Sequence, residues 1–496
     1  MLAVALLVGC GGGKSGSSAG ATVVTDTPST SSTPARQTAH TAGDWTRFGY
    51  NAARTNVAPR GIGAAKLASL SEQRVRIAGT VDSSPIYFSR VHVNGRNREL
   101  LVMTTTYGKT LGVDASSGAT LWTFTPSSYS KVAGSAQITT ATPVADSSGR
   151  YVFAASPDGL IHKLRVSNGT QVRSGHWPVS ITRNSSHEKI ASALNLDGRW
   201  VLVVTGGYIG DAPPYQGKVV AIDRTSGRIV NVFNSLCSNR RAIINPSTCG
   251  SQESAIWGRA GAVVDPVTRK VYATSSNGPF NGSTDWGDSV LELSPGVGRF
   301  LRHWTPTNER QLAESDTDVG STSPGLLPDP NGGRTARFLL QGGKDARIHL
   351  LDLHSSLFGV TGSAGSHLGG EVQNIPVVGD TQMFTAPAVL HRKGLTEAFV
   401  ATGGGTAAYK LVGGRLQVAW HNSSSGTSPV LAGGLLYVYD PNGELNVYRP
   451  SSGKLVRKLP APSGHWNSPI VAGGRVYLPS GNSNDHATSG VLSIYR

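Results

Sequence analysis

Near the carboxyl end, His465, Asp485 and His486 could bind a metal or move a proton, since imidazole titrates near neutrality and a carboxylate can orient it. No third histidine stands at ligand spacing, so we expect His465, its neighbour Trp466, and His486 to serve on a binding surface. Asp316 and Asp318 alternate on an extended segment, which aims both carboxylates to one side; Asp318 joins the same binding set. A turn-capping role would use the same acids. The Gly-x-Ser-x-Gly match, Gly16 to Gly20, lacks the strand-turn-helix of a nucleophile elbow. Gly342-Gly343 and Gly403-Gly404-Gly405 stand between strands rather than before helices, which argues against a phosphate cradle.

The chain has 496 residues and a net charge of +15, yet only 15% of residues are charged, while 62 are Gly and 27 are Pro. That composition starves long amphipathic helices and favours turns. The cations occur as pairs such as Arg240-Arg241 and Arg269-Lys270 with no aromatic interleaving, so we expect no nucleic-acid partner. A diffuse cationic surface suits anionic envelope polymers or lipid head groups.

Leu2 to Val8 is apolar but too short to cross a bilayer, and reads as the core of a signal peptide over residues 1–9. It runs into Leu7-Val8-Gly9-Cys10, which resembles the bacterial lipobox; by that resemblance Cys10 carries the lipid that anchors the mature chain to a membrane. Residues 10–43 are rich in Gly, Ser, Thr and Pro with few large apolar groups, the composition of a flexible linker. An extracytoplasmic chain keeps disulfides, so Cys237 and Cys249 are expected to pair.

The elements that must position these groups repeat along residues 44–496. A turn-strand signal recurs as Ser84-Pro85, Thr142-Pro143, Ser323-Pro324, Ala386-Pro387, Ser428-Pro429 and Ser468-Pro469, with weaker copies at Ala193 and Gly261. Each is followed by short period-two strands, and several by an Asp-x-x-x-Gly turn, as in Asp114 to Gly118 and Asp223 to Gly227. Sheets this small cannot bury both faces alone, but eight stacked radially can, which predicts an all-β, eight-bladed β-propeller. The last repeat stops one strand short at Val491 to Arg496, whereas Leu70 to Ala78 precedes the first signal without a unit of its own. Pairing of these two ends is expected to complete the eighth blade. Links from second to third strands and links entering each first strand should open on one face. The long ones, 206–217, 276–287 and 480–489, are where function should collect.

These repeats, with Trp45 to Asn56 ahead of them, resemble the PQQ-like (quinoprotein-like) β-propeller family, which holds both quinone-dependent alcohol dehydrogenases and non-catalytic envelope proteins. Ser276-Asn277-Gly278-Pro279 is similar to the dehydrogenases' calcium-ligand segment and Gly287-Asp288-Ser289 to the segment with their catalytic base. The resemblance implies Asn277, Asp288 and a displaced Asp211 as ligands of calcium, and Asp288 as the base, in an enzyme using pyrroloquinoline quinone. No adjacent cysteine pair and no Cys-x-x-Cys-His haem motif accompanies them. The preferred expectation is therefore a lipid-anchored extracytoplasmic module, without cofactor, that binds an envelope protein or polymer.

Overall fold

The computed structural model of the protein describes residues 43–355, 358 and 368–496. The expected signal peptide, lipidated Cys10 and most of the linker lie outside the described residues. Eight antiparallel sheets follow one another as blades. Blade one comprises Ile86–Val93, Arg96–Thr104, Thr110–Asp114 and Thr120–Phe124. Blades two to seven occupy residues 144–180, 195–234, 263–304, 325–376, 388–422 and 430–460. Blade eight takes Ile470–Ala472, Arg475–Ser480 and Gly490–Tyr495 from the end of the chain, and its outermost strand, Glu72–Ile77, from the beginning. Glu72 pairs with Tyr495 and Ile77 with Gly490, so the ring closes as the orphaned strands predict.

The core is repeated between blades rather than gathered in one place. Between blades one and two, for example, Ile86, Val102 and Trp122 pack with Val152, Ala154 and Leu164, all nearly inaccessible to solvent. The repeated sequence signals turn out to be joints between neighbouring sheets. Hydroxyls in or just before the turn-strand signal reach across: Ser84 Oγ donates to Ser468 O, Thr322 Oγ1 to Thr385 O, and Thr427 Oγ1 to Asn467 O. In the Asp-x-x-x-Gly turn, Asp114 Oδ1 accepts from the backbone of Ser116 and Ser117. The glycine of the corresponding turn in blade two, Gly169, has φ +70° and receives the ring of Trp122; a Cβ there would lie 2.5 Å from the indole. Trp122 Nε1 then donates to Val166 O. Any side chain at this glycine would expel the tryptophan that joins the two sheets.

Residues 45–58 cross the ring on the face where the innermost strands run out. Backbone N–H groups of Tyr87, Ala145, Val264, Val389 and Leu431 donate to carbonyls of Trp45, Thr46, Ala52, Thr55 and Asn56, touching blades one, two, four, six and seven. Asn195 of blade three donates to Ala52 O. Val57–Ala58 adds a fifth, parallel strand to blade seven. Phe48 packs against Ala193, Ala260 and Ala386, from three different blades, and so stoppers the central channel. The buried Arg54 pins the stopper by donating to Phe48 O, Ala193 O and Leu194 O.

Candidate functional site

Above the stopper, the links entering the innermost strands set equivalent residues around the axis. Counting back from the Pro or its counterpart, Lys189, Trp257 and His465 stand at the fourth position, Asp82, Phe384 and Trp466 at the third, and Arg259 at the second. Their contacts join blades that are not neighbours, which is possible only across the axis. Trp257 lies 6.0 Å from Phe384, and Phe384 5.1 Å from Trp466, between ring centroids. The Arg259 guanidinium lies 4.9 Å from the Trp466 ring, and Lys344 Nζ 5.5 Å from that of Trp257. Beside this mouth is a cavity of about 530 Å³, lined among others by Thr381, Gln382, Phe384, Thr427, His465 and Trp466. Its walls are entering links and second-to-third links of blades six to eight, which share one face as the repeat topology predicts.

Asp82 organises the mouth. Its Oδ2 lies 2.8 Å from His465 Nδ1 and accepts from Ser483 Oγ at 2.7 Å, while Oδ1 accepts from Trp466 N at 2.8 Å. Burial would raise this carboxyl, but the hydrogen bonds from His465 and Ser483 and the nearby Arg259 charge hold it well below the usual range. The two cations fare differently. Burial brings Arg259 down to about 10 against the pull of Asp82, and burial with Arg259's repulsion brings Lys189 down to about 8.

A second group lies where Lys344 meets blade four. Its Nζ is 2.5 Å from Asp316 Oδ1 and 2.8 Å from Asp318 Oδ1, and Asn277 Nδ2 is 3.4 Å from Asp316 Oδ1. Asp318 is fully buried; burial raises its carboxyl and Lys344 partly offsets this. Asp288 is also fully buried, with φ +46°, and its Oδ1 accepts from Val319 N at 3.0 Å while Oδ2 has no partner. Burial and the neighbouring Asp318 push its carboxyl well above the usual range, favouring the neutral acid. Asp211 lies apart from this arrangement, exposed, with Oδ1 accepting from Tyr215 Oη at 3.0 Å. Cys237 and Cys249 form a disulfide with Cα atoms 6.0 Å apart.

Of the residues singled out from sequence, His465 and Trp466 meet at the mouth and Asp318 reaches Lys344, which lies against Trp257. His486 occupies a left-handed turn after Ser483–Asp485, its N–H on Ser483 O and its Nδ1 without a partner. Arg259, Lys189, Lys344, Trp257, Phe384 and Asp82 escaped the sequence reading. The available signal was Arg259, the one charged residue at a repeat position otherwise held by Ser, Ala, Thr or Asn.

The oxygen donors do not fit calcium as one set. Asn277 faces Asp316, Asp288 is turned into the interior against Val319, Asp211 is held by Tyr215, and an ammonium already sits on Asp316 and Asp318. Among the described residues no group of three or more His, Cys, Asp or Glu side chains is placed to hold a metal ion.

A family model described as outer membrane protein assembly factor BamB matches residues 76–232 and 400–490, together half of the chain. Among solved structures, a quinohemoprotein alcohol dehydrogenase from Comamonas testosteroni is 14% identical with a TM-score of 0.67, over 91% of this chain and 80% of that one. A europium-containing methanol dehydrogenase is 14% identical with a TM-score of 0.62, over 92% and 98%. BamB from Moraxella catarrhalis is 13% identical with a TM-score of 0.50, over 86% and 98%. No curated protein sequence matches the chain. Likeness at these identities is likeness of fold, and it extends to enzymes and to an assembly factor alike.

Proposed function

The chain belongs to the PQQ-like repeat family of β-propellers, and on that premise we propose that it is a lipid-anchored extracytoplasmic binding module for an envelope protein or polymer. The observation that carries this reading is the mouth of the stoppered channel. Aromatic and cationic side chains from separate blades converge there beside an open cavity, an arrangement suited to recognition. The anchor rests on the lipobox-like segment ending at Cys10. No helix among the described residues is long and apolar enough to cross a membrane.

The other reading is a pyrroloquinoline quinone- and calcium-dependent alcohol dehydrogenase, with Asp288 as base and Asp211, Asn277 and Asp288 as ligands. It draws on the fold shared with dehydrogenases. The scattered oxygen donors weigh against it.

Reconstitution separates the two. Purified protein given pyrroloquinoline quinone and calcium is expected to keep its thermal midpoint and to show no dye-linked alcohol oxidation. Oxidation that disappears in Asp288→Asn would replace the binding module with the enzyme. For the anchor, Cys10→Ser is expected to abolish acyl labelling and move the protein from the membrane pellet to the supernatant; a variant still pelleting with membranes would remove Cys10 from the account.

A further inference from the structure

Two cations at the mouth have no ion-pair partner among the described residues. Arg259 Nε is buried without a hydrogen bond, and among the described residues no carboxylate lies within 4.0 Å of Arg259 or of Lys189. The acid that both cations feel is Asp82, whose oxygens are engaged by His465, Ser483 and Trp466. Two cations against one committed carboxylate leave net positive charge in a partly dehydrated site, a costly arrangement unless something else completes it. An oxyanion would supply the missing charge-assisted hydrogen bonds.

The surroundings narrow what carries that oxyanion. Phe48 stoppers the channel below, so a polymer cannot thread through and must offer an end or a side group. The adjoining cavity combines the faces of Trp466 and Phe384 with threonine hydroxyls and with His465 and the exposed Asp380, so the oxyanion belongs at the cations of the mouth and the neutral part of the ligand in the cavity. Thr385 Oγ1 donates to Ala401 O, and Thr381 Oγ1 donates to Thr402 Oγ1 while accepting from Gly404 N, which leaves one lone pair on Thr381 for an incoming hydroxyl donor. Aromatic faces suit the C–H face of a pyranose ring, whose hydroxyls donate to the neutral acceptors; an acidic peptide, whose N–H groups can reach the same acceptors, is the competing outcome that the test includes.

We propose that the channel mouth is a receptor for one acidic sugar unit, a uronate or sugar phosphate ending or branching from an envelope polymer, with its oxyanion between Arg259 and Lys189 and its ring against Trp466 and Phe384. This rests on the binding-module reading and names its ligand class.

The test titrates the purified chain, by tryptophan fluorescence and calorimetry, with galacturonate, glucose 6-phosphate, glucose, inorganic phosphate, an Asp/Glu peptide and pyrroloquinoline quinone with calcium. Saturable binding of galacturonate or glucose 6-phosphate is expected, about tenfold or more tighter than that of glucose or inorganic phosphate, with Arg259→Gln and Lys189→Gln each weakening it by a similar factor. The tighter of the two acidic sugars identifies the source of the anion. Thermal midpoints of both variants show that they fold; should Arg259→Gln fail to fold, because its charge also compensates the buried Asp82, Lys189→Gln carries the test. Equal affinity in the variants, no saturable binding of either acidic sugar, or tighter binding of the peptide overturns the proposal. Quinone-dependent turnover would instead overturn the binding-module reading beneath it. Silence toward both quinone and sugars would remove the sugar site alone.

Discussion

Removing residues 490–496 is expected to abolish cooperative unfolding of the ring. The strand Gly490–Tyr495 lies between Glu72–Ile77 on one side and Arg475–Ser480 on the other, so its loss breaks two ladders and separates Glu72–Ile77 from the last blade. Leu492, Ile494 and Tyr495 are each fully buried, and burial of an apolar side chain of this size contributes roughly 1.5–3 kcal/mol. The loss, on the order of 5–9 kcal/mol, is comparable with the whole net stability of an ordinary domain. Urea titration followed by tryptophan fluorescence should show a broad or absent transition, and gel filtration an expanded or aggregated chain. A truncated chain with the wild-type midpoint would mean that the ring is not held shut by this strand.

Lys218→Met should be the most damaging single substitution that leaves the backbone intact. Lys218 Nζ and Glu188 Oε1 form an ion pair at zero side-chain exposure, and Glu188 also accepts from Thr182 Oγ1 and Gln216 N. Burial lowers the lysine's affinity for its proton, and Glu188 opposes that. Removing the ammonium strands a carboxylate in the interior, which costs about 3–5 kcal/mol. In the double variant Lys218→Met with Glu188→Gln, the neutral amide still serves Thr182 and Gln216 N while no charge remains. Most of the stability should return. The four members of this cycle, compared by urea midpoint, give the coupling directly. A wild-type midpoint for Lys218→Met would show that the ammonium does not compensate Glu188.

The ring itself was legible before any coordinates. Ser/Thr-Pro signals mark the starts of innermost strands, and several of their hydroxyls bond the adjacent blade, as Ser84 does with Ser468 O, Thr142 with Ser84 N and Ser428 with Ala386 N. Asp114 and Gly118 announce a turn that caps its own backbone. The unpaired strands at the two ends implied their own meeting. Two features were not legible. The segment 45–58 stood out as a familiar opening, but its work as a stopper depends on N–H groups that only a closed ring turns toward it. The calcium-like segment around Asn277 and Asp288 was visible as a motif, yet motif spacing does not say which way a side chain turns, and Asp288 turns inward to Val319.

Local chemistry along the chain therefore decided the class, the number of sheets and the mode of closure, since period-two strands, turns and repeated joints are properties of residues near one another or of equivalent residues in successive units. The mouth belongs to another scale. Asp82 and His465 are 383 positions apart, and Lys189, Arg259 and Trp466 come from three separate repeats. Nothing in the pattern of one repeat states which residues at equivalent positions face each other across an axis. Closure of the ring brings them together and sets two partly buried cations around one acid, an electrostatic arrangement that no single stretch of sequence contains.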